Sequence, residues 1–179
     1  MADPGDFSAE WTFSLSDGHH RVQFRHGTTS GKRVVVVDGE VIVRKNWMFQ
    51  LVGKERFDVS GTKACIHIDP KGMSYEYWLE IGGKSLEKFI EQRRKSCKTW
   101  IPTVKGNYHR VVLEKDTMDV YVDGEKVETA GEFVDDGTET HFTVDGVACY
   151  IAAVSSGNRR EGIVHSLIVN EQEVAEVEE

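Results

Sequence analysis

Hydrophobic and polar residues alternate with a period of two along much of this chain. In YEYWLEI (75–81), Tyr75, Tyr77, Leu79 and Ile81 fall on one face and Glu76, Trp78 and Glu80 on the other, the signature of a half-buried strand. VQF (22–24), VVL (111–113) and IVHSLIV (163–169) are further short β-rich runs. They are separated by Asp-Gly, Gly-Lys and Ser-Gly pairs, which punctuate antiparallel hairpins. VVVVDGEVIV (34–43) and DVYVDGEKV (119–127) carry the strongest of these signals. A type I′ turn needs positive φ at both central residues, and Asp followed by Gly tolerates that well. Helical periodicity appears once, at Leu86, Phe89 and Ile90 in KSLEKFIEQRRKSCKTW (84–100). A parallel sheet would need helical crossovers, so the pattern predicts an all-β protein of antiparallel sandwiches.

The pattern occurs twice. Trp11 matches Trp100, His20-Arg21-Val22 matches His109-Arg110-Val111, and Phe24 matches Leu113. The two VDGE turns follow. Phe49 and Gly53 match Phe133 and Gly137, Phe57-x-Val59-x-Gly61 matches Phe142-x-Val144-x-Gly146, Ala64-Cys65 matches Ala148-Cys149, and Leu79-x-Ile81 matches Leu167-x-Val169. The order is kept with small gaps, which predicts two tandem antiparallel β-sandwich domains related by an internal repeat. The expected boundaries are a disordered leader over 1–10, an N-terminal sandwich over 11–90, a basic linker over 91–99, a C-terminal sandwich over 100–174 and a frayed acidic tail over 175–179. A unit of this size is long enough to bury one core.

Composition narrows the functional classes. The net charge of −8 argues against broad nucleic-acid binding. That charge is uneven: residues 1–99 carry +3 and residues 100–179 carry −11, so the two halves present different fields to a partner. No secretory leader and no apolar run long enough for a membrane span is visible, and the expected location is cytoplasmic without membrane insertion. Three cysteines, Cys65, Cys97 and Cys149, form no CxxC, which argues against a disulfide scaffold or a structural zinc site.

Candidate chemistry is sparse. Gly27-Thr28-Thr29-Ser30-Gly31-Lys32 invites a phosphate-binding reading, but only three residues separate its glycines, Arg33 follows the lysine, and the loop joins two strands. A hairpin loop accounts for it better, and Thr28, Thr29, Lys32 and Arg33 are candidates for touching a partner. His19, His20 and His26 lack metal-ligand spacing. His20 and His109 stand in phase with core residues, so each is expected to be a partly buried, hydrogen-bonded histidine. Asp135, Asp136 and Glu139 form an acidic turn without the alternation of a calcium loop. Arg159 and Arg160 sit in a polar turn, and Arg93, Arg94 and Lys95 in the basic stretch. These residues complete the partner-facing candidates. Cys65 and Cys149 are expected to be packing residues. Cys97, beside Lys95 and Lys98, is the redox candidate. No catalytic constellation, metal site or cofactor is expected.

Several long strings carry a family resemblance: HGTTSGKRVVVVDGE (26–40), RKNWMFQLVGKE (44–55), GGKSLEKF (82–89), VLEKDTMDVYVDGEKVETAGEFVDDGTETHF (112–142) and YIAAVSSGNRREGIVHSLIV (150–169). On these the chain resembles the Fas apoptotic inhibitory molecule family, in its short form. The resemblance implies a β-sandwich fold and a cytosolic, non-enzymatic protein that protects cells against death-receptor apoptosis. It further implies roles in neurite outgrowth and in countering protein aggregation under stress. Expected partners are proteins: death-receptor or growth-factor-receptor signalling components, or misfolded clients held by strand addition. A monomer or weak dimer is expected. The competing reading is a small-ligand or carbohydrate-binding sandwich that stacks sugars on Trp47, Trp78 and Trp100. Against it, the three tryptophans are also natural core residues.

Overall fold

A computed structural model describes residues 7–179. The strands are β1 (Ala9–Leu15), β2 (Gly18–His26), β3 (Arg33–Val37), β4 (Glu40–Lys45), β5 (Gly53–Val59), β6 (Thr62–Lys71), β7 (Ser74–Ile81) and β8 (Lys84–Ser85). Helix α1 (Leu86–Ser96) follows. Then come β9 (Cys97–Trp100), β10 (Thr103–Val104), β11 (Asn107–Tyr108), β12 (Val111–Glu114), β13 (Asp119–Val122), β14 (Glu125–Val127) and β15 (Ala130–Val134). The last are β16 (Gly137–Val144), β17 (Val147–Ser155), β18 (Ile163–Val169), β19 (Gln172–Val174) and β20 (Glu176–Val177). The protein is therefore nearly all β, with antiparallel pairing throughout the described ladders.

The chain divides into two compact units. One runs to Leu15 and from His19 to Gln92; the other holds Ser16–Gly18 and Arg93–Glu179. The first contains two four-stranded sheets, ordered β1-β2-β3-β4 and β5-β6-β7-β8. Val22, Phe24 and Val35 from one sheet meet Phe57, Ile66 and Leu79 from the other in a single core. Leu86, Phe89 and Ile90 of α1 pack against that core. The second unit contains two five-stranded sheets, ordered β14-β13-β12-β9-β20 and β15-β16-β17-β18-β19, and the small hairpin β10-β11. Trp100, Val111 and Leu113 meet Phe142, Ile151 and Leu167 in its core.

The turns show why the sequence folds this way. Asp38 and Gly39 have φ of 51° and 85°, and Asp123 and Gly124 have 51° and 89°, the left-handed pair that a two-residue hairpin requires. Each aspartate also clamps the preceding strand. Asp38 accepts the Arg21 backbone N–H at 2.7 Å and pairs with His20 Nδ1 at 2.7 Å. Asp123 accepts the Arg110 N–H at 2.8 Å and pairs with His109 Nδ1 at 2.7 Å. Burial works to raise the Asp123 pKa, but the bonds from His109 and Arg110 hold it below the usual carboxylate value. The expected partly buried, bonded histidines are both present.

Four expectations need correction. Strand β1 begins at Ala9, so residues 9–10 are not leader; residues 1–6 lie outside the described part of the chain. The 91–99 stretch is not a linker, because α1 continues to Ser96 and β9 starts at Cys97. Arg93, Arg94 and Lys95 occupy the last helical turn, where cations complement the helix dipole. The acidic tail does not fray: Glu176 pairs with Trp100 and Val177 with Thr99, and Arg110 Nε donates to Glu179 Oε1 at 2.9 Å. Finally, the two cysteines matched by sequence are not equivalent. Val59↔Thr62 and Val144↔Val147 flank the two hairpin turns. Counting from those turns sets Cys149 against Ala64, not Cys65. One residue of slip reverses the face, so Cys149 belongs to the core while Cys65 is buried on the other side of its sheet. Burial raises both thiol pKa values.

Two histidines link stability to pH. Burial, then the charge of Arg33, lowers the His26 pKa; burial, then the charges of Lys115 and Lys98, lowers that of His165. The unfolded chain therefore takes up these protons first. Their contribution is complete above the unfolded value of about 6.5 and is lost as pH falls below it toward the folded values. Chemical denaturation between pH 7.5 and 5 is expected to show falling stability, with a shallower slope in His26→Gln and His165→Gln.

Candidate functional site

The most exposed aromatic pair of the first unit lies in the connection 46–52, between β4 and β5. Trp47 is 65% and Phe49 89% exposed. Their rings meet edge to face, with centroids 5.8 Å apart and planes at 76°. Leaving two such side chains in water forgoes about 1.5–3 kcal/mol of burial each, so the local structure must hold them out.

It does so from two sides. On one, Met48 N–H donates to Ser30 O at 3.0 Å. Gly31 lies so close that a Cβ there would sit 2.3 Å from Met48 O, and its φ is 67°. Only glycine fits that approach. The 27–32 loop is itself closed by Gly27 N–H to Lys32 O at 2.8 Å and Gly31 N–H to Gly27 O at 2.7 Å. On the other side stands Arg33, only 2% exposed. Its Nη2 donates to Gln50 O at 3.0 Å and Val52 O at 2.8 Å, and its Nη1 to Glu55 Oε1 at 2.9 Å. Glu55 is 3% exposed and also accepts Lys45 Nζ at 2.9 Å on both oxygens. A buried ion pair persists when further hydrogen bonds occupy its remaining groups; here the carbonyls of 50 and 52 occupy Nη2, while Arg33 Nε is buried without a hydrogen-bond partner. Beside it His26 Nδ1 pairs with Tyr77 Oη at 2.8 Å, and its ring stands edge-on to Tyr75.

This arrangement corrects the role expected of Arg33. It is not a partner-facing cation but an internal strut that fixes the aromatic loop. Thr28 and Thr29 are exposed, and Lys32 is half-buried. Asp135 and Asp136 form the exposed turn after Phe133, itself 92% exposed, and Glu139 is half-buried on β16. Arg159 and Arg160 lie exposed in the β17–β18 turn, where Asn158 Oδ1 accepts the Arg160 N–H at 3.0 Å. Arg94 Nε donates to Glu179 O at 3.4 Å. Cys97 is half-buried, with Sγ 3.8 Å from Ser96 Oγ. The candidates thus fall into separate places and do not converge on one centre.

The three tryptophans separate as well. Trp100 is in the core. Trp78 stacks flat on His67 with centroids 3.6 Å apart, and its Nε1 donates to Asp69 at 2.8 Å. Trp47 alone of the three stands largely free, contrary to its expected burial, and no shared sugar platform results. Among the described residues, Glu132, Glu139 and His141 have donor atoms close enough to share a cation, within 4.8 Å of one another. His141 Nε2 already lies 2.9 Å from Glu139 and 3.5 Å from Glu132, a spacing that the histidine–carboxylate contacts explain.

The sequence model of the Fas apoptotic inhibitory molecule family matches residues 7–177. The chain belongs to that family. Fas apoptotic inhibitory molecule 1 of Bos taurus is 59% identical over 177 residues, covering 97% of this chain and 88% of the relative. The Mus musculus protein of that name is 59% identical over 175 residues, 96% of this chain and 98% of the relative, and the Homo sapiens one 58% over the same shares. The family match spans the aromatic loop, its glycine buttress and its arginine strut.

Removing the strut would strand Glu55 in the interior with only Lys45 beside it. Arg33→Met is expected to lower unfolding free energy by about 3 kcal/mol. It is also expected to make 46–52 a site of early cleavage in limited proteolysis, whereas the wild-type loop resists.

Proposed function

We propose that this chain is a non-enzymatic cytoplasmic regulator that restrains apoptosis by binding other proteins, with Trp47 and Phe49 as its anchoring side chains. Membership of a family whose relatives are named apoptotic inhibitory molecules supports the biological direction. The observation that carries the mechanism is the pair of aromatics held in water by Arg33 and Ser30. Rigid, exposed aromatic residues lose little entropy on binding and dominate interface energetics. Basic residues frame the loop, with Arg44 and Lys45 before it and Lys54 and Arg56 after it. Such a rim favours acidic partners and speeds their encounter. Components of death-receptor or growth-factor-receptor signalling are the expected class.

A second reading is favoured by the same aromatics and by unpaired strand edges: the chain holds aggregation-prone clients under stress. Light scattering from a destabilised client separates the two. Suppression that Trp47→Ser/Phe49→Ser abolishes supports client holding; no suppression at equimolar protein leaves the signalling role.

The direct test is protection of cells from a death-receptor ligand. The Trp47→Ser/Phe49→Ser protein should fold with unchanged thermal stability, since both residues are exposed, and should lose protection. Losing two anchors is expected to weaken partner capture by about 30-fold or more. Full protection by the double variant would remove the proposal.

A further inference from the structure

The second unit covers a sheet edge that the first leaves open. In the second unit β15 pairs along β16, with Ala130 opposite His141 and Glu132 opposite Glu139. Strand β5 holds the place of β16: each is the first long strand of its sheet, and each enters its hairpin through a two-residue turn. Ser60 and Gly61 have φ of 46° and 78°, and Asp145 and Gly146 have 47° and 76°. Yet β5 ends its sheet, and among the described residues no strand pairs with its outer side.

The groups waiting on that edge can be counted. A two-residue turn makes Val59 and Thr62 a hydrogen-bonded pair. The alternation of an antiparallel ladder then turns the N–H and C=O of Asp58, Arg56 and Lys54 away from β6. Arg33 Nη1 reaches Lys54 O at 3.5 Å and marks the end of the open stretch. Counting back from the turns, Lys54 and Arg56 stand where Glu139 and His141 stand in the second unit. Both are exposed. Among the described residues neither has an ion-pair partner, whereas Asp58 is paired with Lys63 at 3.0 Å. In the second unit the strand facing β16 sets Glu132 across from Glu139, and His141 Nε2 stands between them at 3.5 Å and 2.9 Å. The same kind of strand on β5 would set its carboxylate against Lys54.

We propose that the β5 edge is a strand-addition site for an extended acidic segment of a partner protein, with carboxylates at alternate residues meeting Lys54 and Arg56. The choice of a protein segment as ligand rests on the reading of the chain as a protein-binding module. Main-chain bonds to Arg56 and Asp58 supply the docking, and the two cations supply the selection. The neighbouring Trp47/Phe49 loop leads directly into this strand, so an added segment could reach both.

The test uses the full chain and a synthetic peptide of residues 127–136 carrying Glu128→Lys and Ala130→Glu, which places a lysine opposite Asp58 and carboxylates opposite Arg56 and Lys54. Titration followed by backbone amide NMR should shift Lys54, Arg56 and Asp58 and slow their hydrogen exchange. A peptide with Ala130→Lys and Glu132→Lys should bind about tenfold more weakly, and Lys54→Glu/Arg56→Glu protein should reverse the preference. Arg56→Pro should abolish binding without unfolding, because that N–H faces away from β6. If that variant fails to fold, the charge-reversal protein decides. No shift at β5 with millimolar peptide, equal binding of both peptides, or shifts confined to another edge would overturn the proposal. So would β5 amides that respond only to protein concentration, which would make the occupant a second copy. Absent peptide binding with intact Trp47/Phe49-dependent protection would sink this inference alone.

Discussion

One guanidinium holds the exposed aromatic loop of the first unit in place. Arg33 begins β3, but its side chain runs to the far end of the β4–β5 connection. There it joins the carbonyls of Gln50 and Val52 to the carboxylate of Glu55. Lysine could not make these bonds together; the planar fork reaches several acceptors at once. The cost of burying the charge is offset because Glu55 is buried with it and Lys45 adds a second cation. The result is a loop of irregular backbone held at its 50 and 52 carbonyls from within the protein, with Trp47 and Phe49 facing outward.

The rest of the first unit serves this arrangement. The left-handed Asp38-Gly39 turn starts the pairing of β3 with β4, and a bulge between Val35 and Val36 then shifts it by one residue, which sets Arg33 opposite Lys45 rather than Arg44. Gly31 lets the preceding loop approach Met48. The second unit uses the same aspartate clamp, with His109 and Arg110 in place of His20 and Arg21, but extends both sheets with β15 and β20. Covering an edge prevents unwanted pairing. The unit that carries the basic, aromatic surface is also the one that leaves β5 uncovered, while the acidic unit covers its counterpart. That division follows the charge asymmetry of the sequence.

Local signals in the sequence were sufficient for strands such as β2, β7, β12 and β18, the type I′ turns, the helix at Leu86, Phe89 and Ile90, and the bonded histidines. Each depends on a few adjacent residues or a short period. The features that escaped depend on contacts at long separation. Arg33 looked like loop surface because its acceptors lie about twenty residues away and are mostly backbone carbonyls, which no side-chain pattern announces. Trp47 looked like core because tryptophan usually is; its exposure follows from the strut, not from its neighbours. Cys65 and Cys149 matched by spelling, yet the register of the hairpins sets them on opposite faces. The tail formed a strand because β9 offered an edge, which AEVEE alone does not reveal. Glu55 gave one clue in hindsight: it sits on the buried phase of GKERFDV (53–59), where a carboxylate demands a cation.

The central claim is that the Trp47/Phe49 loop is rigid before any partner arrives. Nuclear relaxation of the free protein, read at the backbone amides of 46–52 and at the Trp47 indole, tests it most directly. Order parameters near those of the adjoining strands, about 0.85, are predicted. Values below about 0.6 for the loop amides would mean that the strut does not hold it, and would contradict the account.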